Sequence, residues 1–224
     1  MPLHSWDLTP AEGIALQKRL AGRVRFEPLA GEVRTIAGVD CAFAAGGREI
    51  LAAAVLLDAE SMETLASAHV RRPCTFPYVP GLLSFREAPA VLDAVGRLPR
   101  RPDLLMCDGQ GRAHPRGVGL ACHVGLWLDL PTIGVAKSRL CGEHREPGPN
   151  RGCRTQLKLA GEVIGAVLRT RTGVKPLYVS VGHRITLPEA IRWTLRCARG
   201  VRLPEPTRRA DRFVARRKAS PPAK

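Results

Sequence analysis

The chain has 224 residues, 45% of them hydrophobic, which suits one well-packed domain with at most a small appendage. Its 35 lysines and arginines against 20 acids leave a net charge of +15, so the expected partner is a polyanion, nucleic acid first. No run approaches the roughly 18 apolar residues of a membrane span, and Met1–Asp7 lacks the layout of a secretion signal, so a cytoplasmic compartment is expected.

Thr9-Pro10-Ala11-Glu12 is a capping box with proline at the first helical position, and predicts an amphipathic helix to about Ala21. Strands are expected at Thr35–Phe43, Ile50–Asp58 and Thr64–Val70, with Ala44-Ala45-Gly46-Gly47 as the first turn. Arg71–Leu83 reads as a proline-rich loop, followed by a helix over Pro89–Leu98. A fourth strand ends at Asp108, a helix covers Gly119–Leu128, and a fifth strand is Thr132–Val135. Cys141–Cys153 is a polar loop; Thr155–Leu159 and Val163–Thr170 flank Ala160-Gly161-Glu162 as a hairpin; Leu177–Val181 is one more strand. A second capping box, Thr186-Leu187-Pro188-Glu189, opens a helix to about Arg199. The domain is expected to span residues 1–211, with Asp211 just after the last helix and Arg212–Lys224 a disordered basic tail.

Three antiparallel strands, then helix, strand, helix and strand, describe an α/β mixed sheet covered by helices. That order matches the ribonuclease H-like fold, in which the first and fourth strands are neighbours and carry metal-binding acids. Asp40 and Asp108 fall at the ends of those two strands.

The seven cysteines include no Cys-x-x-Cys pair and read as reduced thiols. Chemistry concentrates in the acids instead. Asp40, Asp108, Glu87 at a helix entrance and Asp211 among arginines are the candidates. Phosphodiester hydrolysis needs charge neutralised on the phosphate and hydroxide made from water; carboxylate-bound magnesium does both, with manganese a substitute. Lys137, after the fifth strand, can place fixed positive charge at the phosphate. His114, His123 and His183 are candidates for phosphate contact or proton transfer, with His123 also reading as a core histidine. Tyr78 stands in a stiff tip, Pro77-Tyr78-Val79-Pro80-Gly81, of the kind that wedges between stacked bases.

Together these segments resemble endonuclease V, a nuclease family acting at inosine, the product of adenine deamination. The matching stretches are Ala37–Asp40, Pro77–Glu87, Asp108–Gly111, Ala113–Arg116, Pro131–Lys137, Gly182–Arg184 and Leu203–Arg208, in family order. The resemblance implies magnesium-dependent cleavage of deoxyinosine-containing DNA at the second phosphodiester 3′ of the lesion, leaving 3′-hydroxyl and 5′-phosphate. Asp40 and Asp108 would hold the metal, Glu87 the attacking water, and Asp211 would complete the cluster. His114 and Lys137 would sit near the phosphate. Tyr78 with Pro77, Val79 and Pro80 would form the wedge, Gly111 the backbone wall of a base pocket, and His183 a substrate contact. Gln110 stands where many members have histidine, and cannot titrate. A monomer is expected. Inosine RNA as substrate, a structure-selective junction or flap nuclease, and a non-catalytic inosine binder are the alternatives.

Overall fold

A computed structural model describes residues 3–219. Its elements are α1 Pro10–Ala21, β1 Thr35–Ala44, β2 Glu49–Asp58, β3 Thr64–Pro73, α2 Leu83–Gly96, β4 Leu104–Cys107, α3 Leu120–Leu128, β5 Thr132–Ala136, β6 Arg154–Leu159, β7 Glu162–Leu168, β8 Leu177–His183, α4 Leu187–Cys197 and α5 Glu205–Ala219. The strands form one mixed sheet in the order β3-β2-β1-β4-β5-β8-β7-β6. β1, β4 and β5 run parallel and every other pairing is antiparallel. This is the expected ribonuclease H-like arrangement, with β1 and β4 adjacent.

Strand alternation sends successive side chains to opposite faces. Ala37, Val39, Leu105 and Cys107 face α2 and α3. Ile36, Leu104, Met106, Ile133 and Val135 face α4 and α5. Both capping boxes form, Thr9 with Glu12 and Thr186 with Glu189. The seven cysteines are free, and among the described residues no helix is long and apolar enough to cross a membrane.

Three expectations need correction. Asp40 does not end its strand: β1 runs on to Ala44, paired with β2 throughout. What ends there is the pairing with β4, whose last partners are Val39 and Cys107. α2 begins at Leu83, not Pro89, which lies inside the helix. Proline costs that turn a backbone hydrogen bond, yet burial of Phe85, Ala88, Ala90, Val91 and Ala94 holds the helix together. Asp211 lies within α5, which continues to Ala219, so residues 212–219 are not a disordered tail; residues 220–224 lie outside the described residues. Two features make this segment helical. Glu205 in the first turn pairs with Arg208 and Arg209 at i+3 and i+4. Val214 then packs on Leu51 and Ala53, with Phe213 beside it.

Candidate active site

β1 and β4 bring their acids to one point. The Asp108 N–H donates to the Val39 carbonyl at 3.2 Å, extending the ladder by one residue and setting Asp108 beside Asp40. α5 crosses the same face and supplies Asp211. Carboxylate oxygens of Asp40, Asp108 and Asp211 all lie within 4.8 Å of one another. Lys137, from the end of β5, sits 2.5 Å from Asp108 Oδ2 and 3.2 Å from Asp211 Oδ1.

The electrostatics are those of crowded acids. Burial, then the Asp108 charge, pushes Asp40 up to about 7. Burial, then Asp40 and Asp108, pushes Glu87 up to about 8. Burial also raises Asp108, although the Lys137 ammonium pulls the other way. Lys137 itself is held above the ordinary lysine value: burial opposes its charge, but pairing with Asp108 and Asp211 outweighs that. Glu87 reaches this point from α2, on the opposite face of the sheet, and stands outside the three-carboxylate group while feeling two of its charges. Hard oxygen donors with no thiol or imidazole among them, crowded enough to resist ionising, fit magnesium or a similar hard cation.

The proline-flanked tip is presented as expected. Tyr78 is 73% exposed, Pro77 and Pro80 are exposed, and Val79 is half-buried. Its base is anchored. Phe76 stacks on Phe85 with centroids 5.3 Å apart. The Gly81 carbonyl accepts from three donors: Gln17 Nε2 at 3.0 Å, His114 Nε2 at 3.0 Å and Arg116 Nη2 at 2.7 Å. The Arg86 guanidinium lies over the Phe43 ring at 4.6 Å and faces the Tyr78 ring at 5.8 Å.

Behind this tip is a cavity of about 200 Å³. The tip, Leu83, Ser84 and Glu87 of α2, Gly109, Gln110, His114 and Gly119, Leu120 of α3, and Leu140 border it. Glu87 therefore lines the cavity and also feels the charges of the acidic cluster.

A family model for endonuclease V matches residues 18–212. The chain belongs to the endonuclease V family. An endonuclease V of Azotobacter vinelandii is 54% identical over 96% of this chain and 98% of its own length. The crystal structure of endonuclease V from Streptomyces avermitilis superposes with a TM-score of 0.90 at 44% identity, covering 95% of this chain and 94% of that one. A more distant endonuclease V, from Ciona intestinalis, shares the fold with a TM-score of 0.79 at 23% identity, over 92% of this chain and 96% of its own. It was crystallised with a 24mer DNA containing an inosine followed by a ribo-adenosine.

Within this endonuclease V framework, three expected site residues have surroundings other than those expected: His114 lines the cavity, while His183 and Gly111 do not. His114 does not face the acids. Its Nε2 donates to the Gly81 carbonyl at the base of the tip and its Nδ1 accepts from the Arg116 N–H at 3.1 Å, so both ring nitrogens are occupied. Burial and the Arg116 charge lower it to about 4, which keeps it neutral. His183 pairs with Thr132 at the start of β5, the end of that strand away from Lys137. It accepts from the Arg25 N–H at 3.2 Å and meets Asp129 at 3.4 Å, a structural tie. Gly111 is one residue behind the cavity wall, which Gly109 and Gln110 form. Its N–H donates to Ser180 Oγ at 2.9 Å, and a Cβ there would meet the Val181 carbonyl oxygen at 2.2 Å.

Sequence reasoning missed Gln17, Ser84 and Leu140. Gln17 carried a signal, a polar residue on the buried face of α1 beside Leu16 and Leu20. Ser84 was disguised by its place in a helix whose start was misjudged. Leu140 lies in a loop with no periodicity to read.

Proposed function

We propose that this chain is a repair endonuclease that takes the hypoxanthine of deoxyinosine into the cavity behind Tyr78 and hydrolyses the second phosphodiester 3′ of it. The observation that carries this reading is the shared position of Glu87, on the wall of the cavity and beside the acidic cluster. A base held in the first puts its own strand across the second. The Ciona complex supports inosine DNA as the ligand class, and the cut position follows the family resemblance.

Asp40 and Asp108, with Asp211, would hold magnesium. Bound there, the ion supplies Lewis-acid neutralisation of the phosphate and a more acidic water. The chain's own groups do the rest. Lys137 neutralises Asp108 and Asp211 and offers its ammonium to phosphate oxygen. Glu87 keeps its proton while Asp40 and Asp108 are charged beside it; neutralised by a cation, those acids would let it ionise, and the carboxylate then accepts the proton of the attacking water. Tyr78 fills the gap left in the base stack, on a loop that His114, Gln17 and Arg116 keep from folding away. The enzyme acts as a monomer in the cytoplasm.

The test compares single-turnover cleavage of strands carrying inosine or adenine at one position, as DNA and as RNA, in magnesium and in manganese. Fragments labelled at either end locate the cut. The expected result is inosine-dependent cleavage of DNA leaving 3′-hydroxyl and 5′-phosphate at the second bond. Equal cleavage of the adenine twin favours a structure-selective nuclease; cleavage of the RNA strand alone moves the substrate class to inosine RNA.

A further inference from the structure

A continuous hydrogen-bonded chain runs from the N-terminal segment to the wall of the cavity. Ser84 Oγ is 3.0 Å from His123 Nδ1. His123 Nε2 is 2.7 Å from His4 Nε2. His4 Nδ1 is 2.6 Å from the Ser5 carbonyl oxygen. The two imidazoles are packed among Trp6, Trp127 and Phe85, with ring centroids 4.5 to 6.2 Å away.

The proton positions in this chain are determined by its fixed end. A carbonyl oxygen only accepts, so His4 Nδ1 carries a proton. Burial lowers both histidines, His123 to about 3, so each ring is neutral and holds one proton. His4 Nε2 is then a bare acceptor, and the proton between the rings belongs to His123 Nε2. His123 Nδ1 is consequently bare as well, and accepts from the Ser84 hydroxyl. The one hydroxyl proton of Ser84 is committed to His123. The oxygen has only lone pairs left to offer, and Ser84 borders the cavity.

We propose that Ser84 Oγ is the acceptor that reads N1 of the lesion base, with His123 and His4 as positioning residues that fix its polarity. This deepens the base-pocket assignment made above and rests on it. Hypoxanthine carries a hydrogen on N1, and adenine presents a lone pair there. An oxygen that can only accept bonds the first and repels the second. Guanine shares the N1–H of hypoxanthine, so Ser84 separates inosine from adenine and not from guanine. The N-terminal segment bearing His4 thereby belongs to the recognition machinery, although it lies outside the residues that match the family model.

The experiment uses the full chain. Duplexes with inosine, adenine or guanine at one position compete for binding in calcium, and inosine cleavage is followed in magnesium. Ser84→Ala should reduce the inosine-over-adenine preference about tenfold, the size of one buried hydrogen bond, with the inosine-to-guanine ratio unchanged. Ser84→Cys should move the same way and serves if the alanine variant does not fold. His4→Phe removes the acceptor for His123 Nε2, so His123 should move its proton to Nδ1 and turn the Ser84 hydroxyl toward the cavity. The preference should fall again, and His4→Gln, whose carboxamide oxygen accepts, should restore it. Nitrogen-15 NMR of the histidine rings reads the tautomer without substrate: His123 should be protonated on Nε2 in the native chain and on Nδ1 in His4→Phe. An intact preference in Ser84→Ala and Ser84→Cys, or a native His123 protonated on Nδ1, overturns the inference and leaves the proposed function standing. A native chain with no inosine preference overturns both.

Discussion

Gly38 and Pro206 touch where α5 crosses β1: a Cβ on Gly38 would lie 2.0 Å from the Pro206 carbonyl oxygen. Two residues along the same face of β1 is Asp40, and further along α5 is Asp211. The close crossing is what lets an acid from the C-terminal helix join acids from the sheet. Gly38→Ala is therefore expected to cost roughly 1–3 kcal/mol or more, as overpacking does, and to slow cleavage by moving Asp211 away while lesion binding survives. Urea unfolding with single-turnover cleavage checks this. An unchanged midpoint and rate would show that α5 can shift without consequence.

Much of this architecture was legible because it is written in periodicity. Thr9 and Thr186 announced their helices through capping boxes that form as expected. The apolar runs before Asp40 and Asp108 marked strands, and the order of elements matched a fold in which those two strands are neighbours, as they are. The failures have physical causes. Pro89 suggested a helix start, but tertiary burial along α2 outweighs one lost hydrogen bond. The basic composition of Arg212–Lys224 points to a disordered tail, yet Val214 and the Glu205 pairings suffice for a helix as far as Ala219. Placing His114 and His183 required knowing which carbonyl or carboxylate each ring meets, and that depends on segments far away in sequence, Gly81 and Asp129.

The raised carboxyls give stability a definite pH dependence in protein stripped of divalent ions. Asp40 at about 7 and Glu87 at about 8 stay protonated in the folded chain where the unfolded chain has ionised them. Between the ordinary carboxyl range near 4 and pH 8, the unfolded state binds fewer protons, so stability falls as pH rises through that window. Glu87→Gln removes one such group and should raise Tm at pH 8 with little change at pH 4, in EDTA. A larger gain at pH 4 than at pH 8 would contradict the burial argument.

Tyr78 has a prediction of its own because its loop is anchored independently of its ring. Tyr78→Ala removes an exposed aromatic and leaves the Gly81 anchors in place. Stacking of a base on an aromatic is worth roughly 1–3 kcal/mol, so inosine duplex should bind about tenfold more weakly or worse. Single-stranded inosine DNA leaves no gap to fill and should lose less. Equal losses in fluorescence anisotropy on both substrates would remove the wedge role.

Asp40→Asn and Asp108→Asn keep size and remove charge from the carboxylate group that would hold the metal. Metal affinity and cleavage should collapse, while binding to inosine DNA largely survives, since the cavity is separate and losing an acid does not repel phosphate. Calcium, with looser coordination, should support binding and little cleavage. Glu87→Gln should also cut poorly, with a smaller effect on metal affinity. Gel-shift binding in calcium paired with cleavage in magnesium separates these outcomes. An Asp108→Asn protein that nicks at near the native rate would remove Asp108 from the metal site.

The charge of residues 212–219 is carried by a helix that also contributes to the core. Val214 is 3% exposed and Phe213 packs against His69, so deleting the chain from Arg212 onward would unseat part of the core along with the charge. Replacing Arg212 and Lys218, both exposed on α5, with glutamine keeps the helix and removes two cations. If they lie along the DNA backbone, each lost phosphate contact should flatten the dependence of log affinity on log salt by about 0.9. Affinity should weaken alike for inosine and unmodified duplex, because phosphate contacts position without reading sequence. Anisotropy titrations across a range of salt concentrations measure both quantities at once. An unchanged slope would place α5's last turns off the DNA, and a selective loss on inosine duplex would tie them to the lesion site instead.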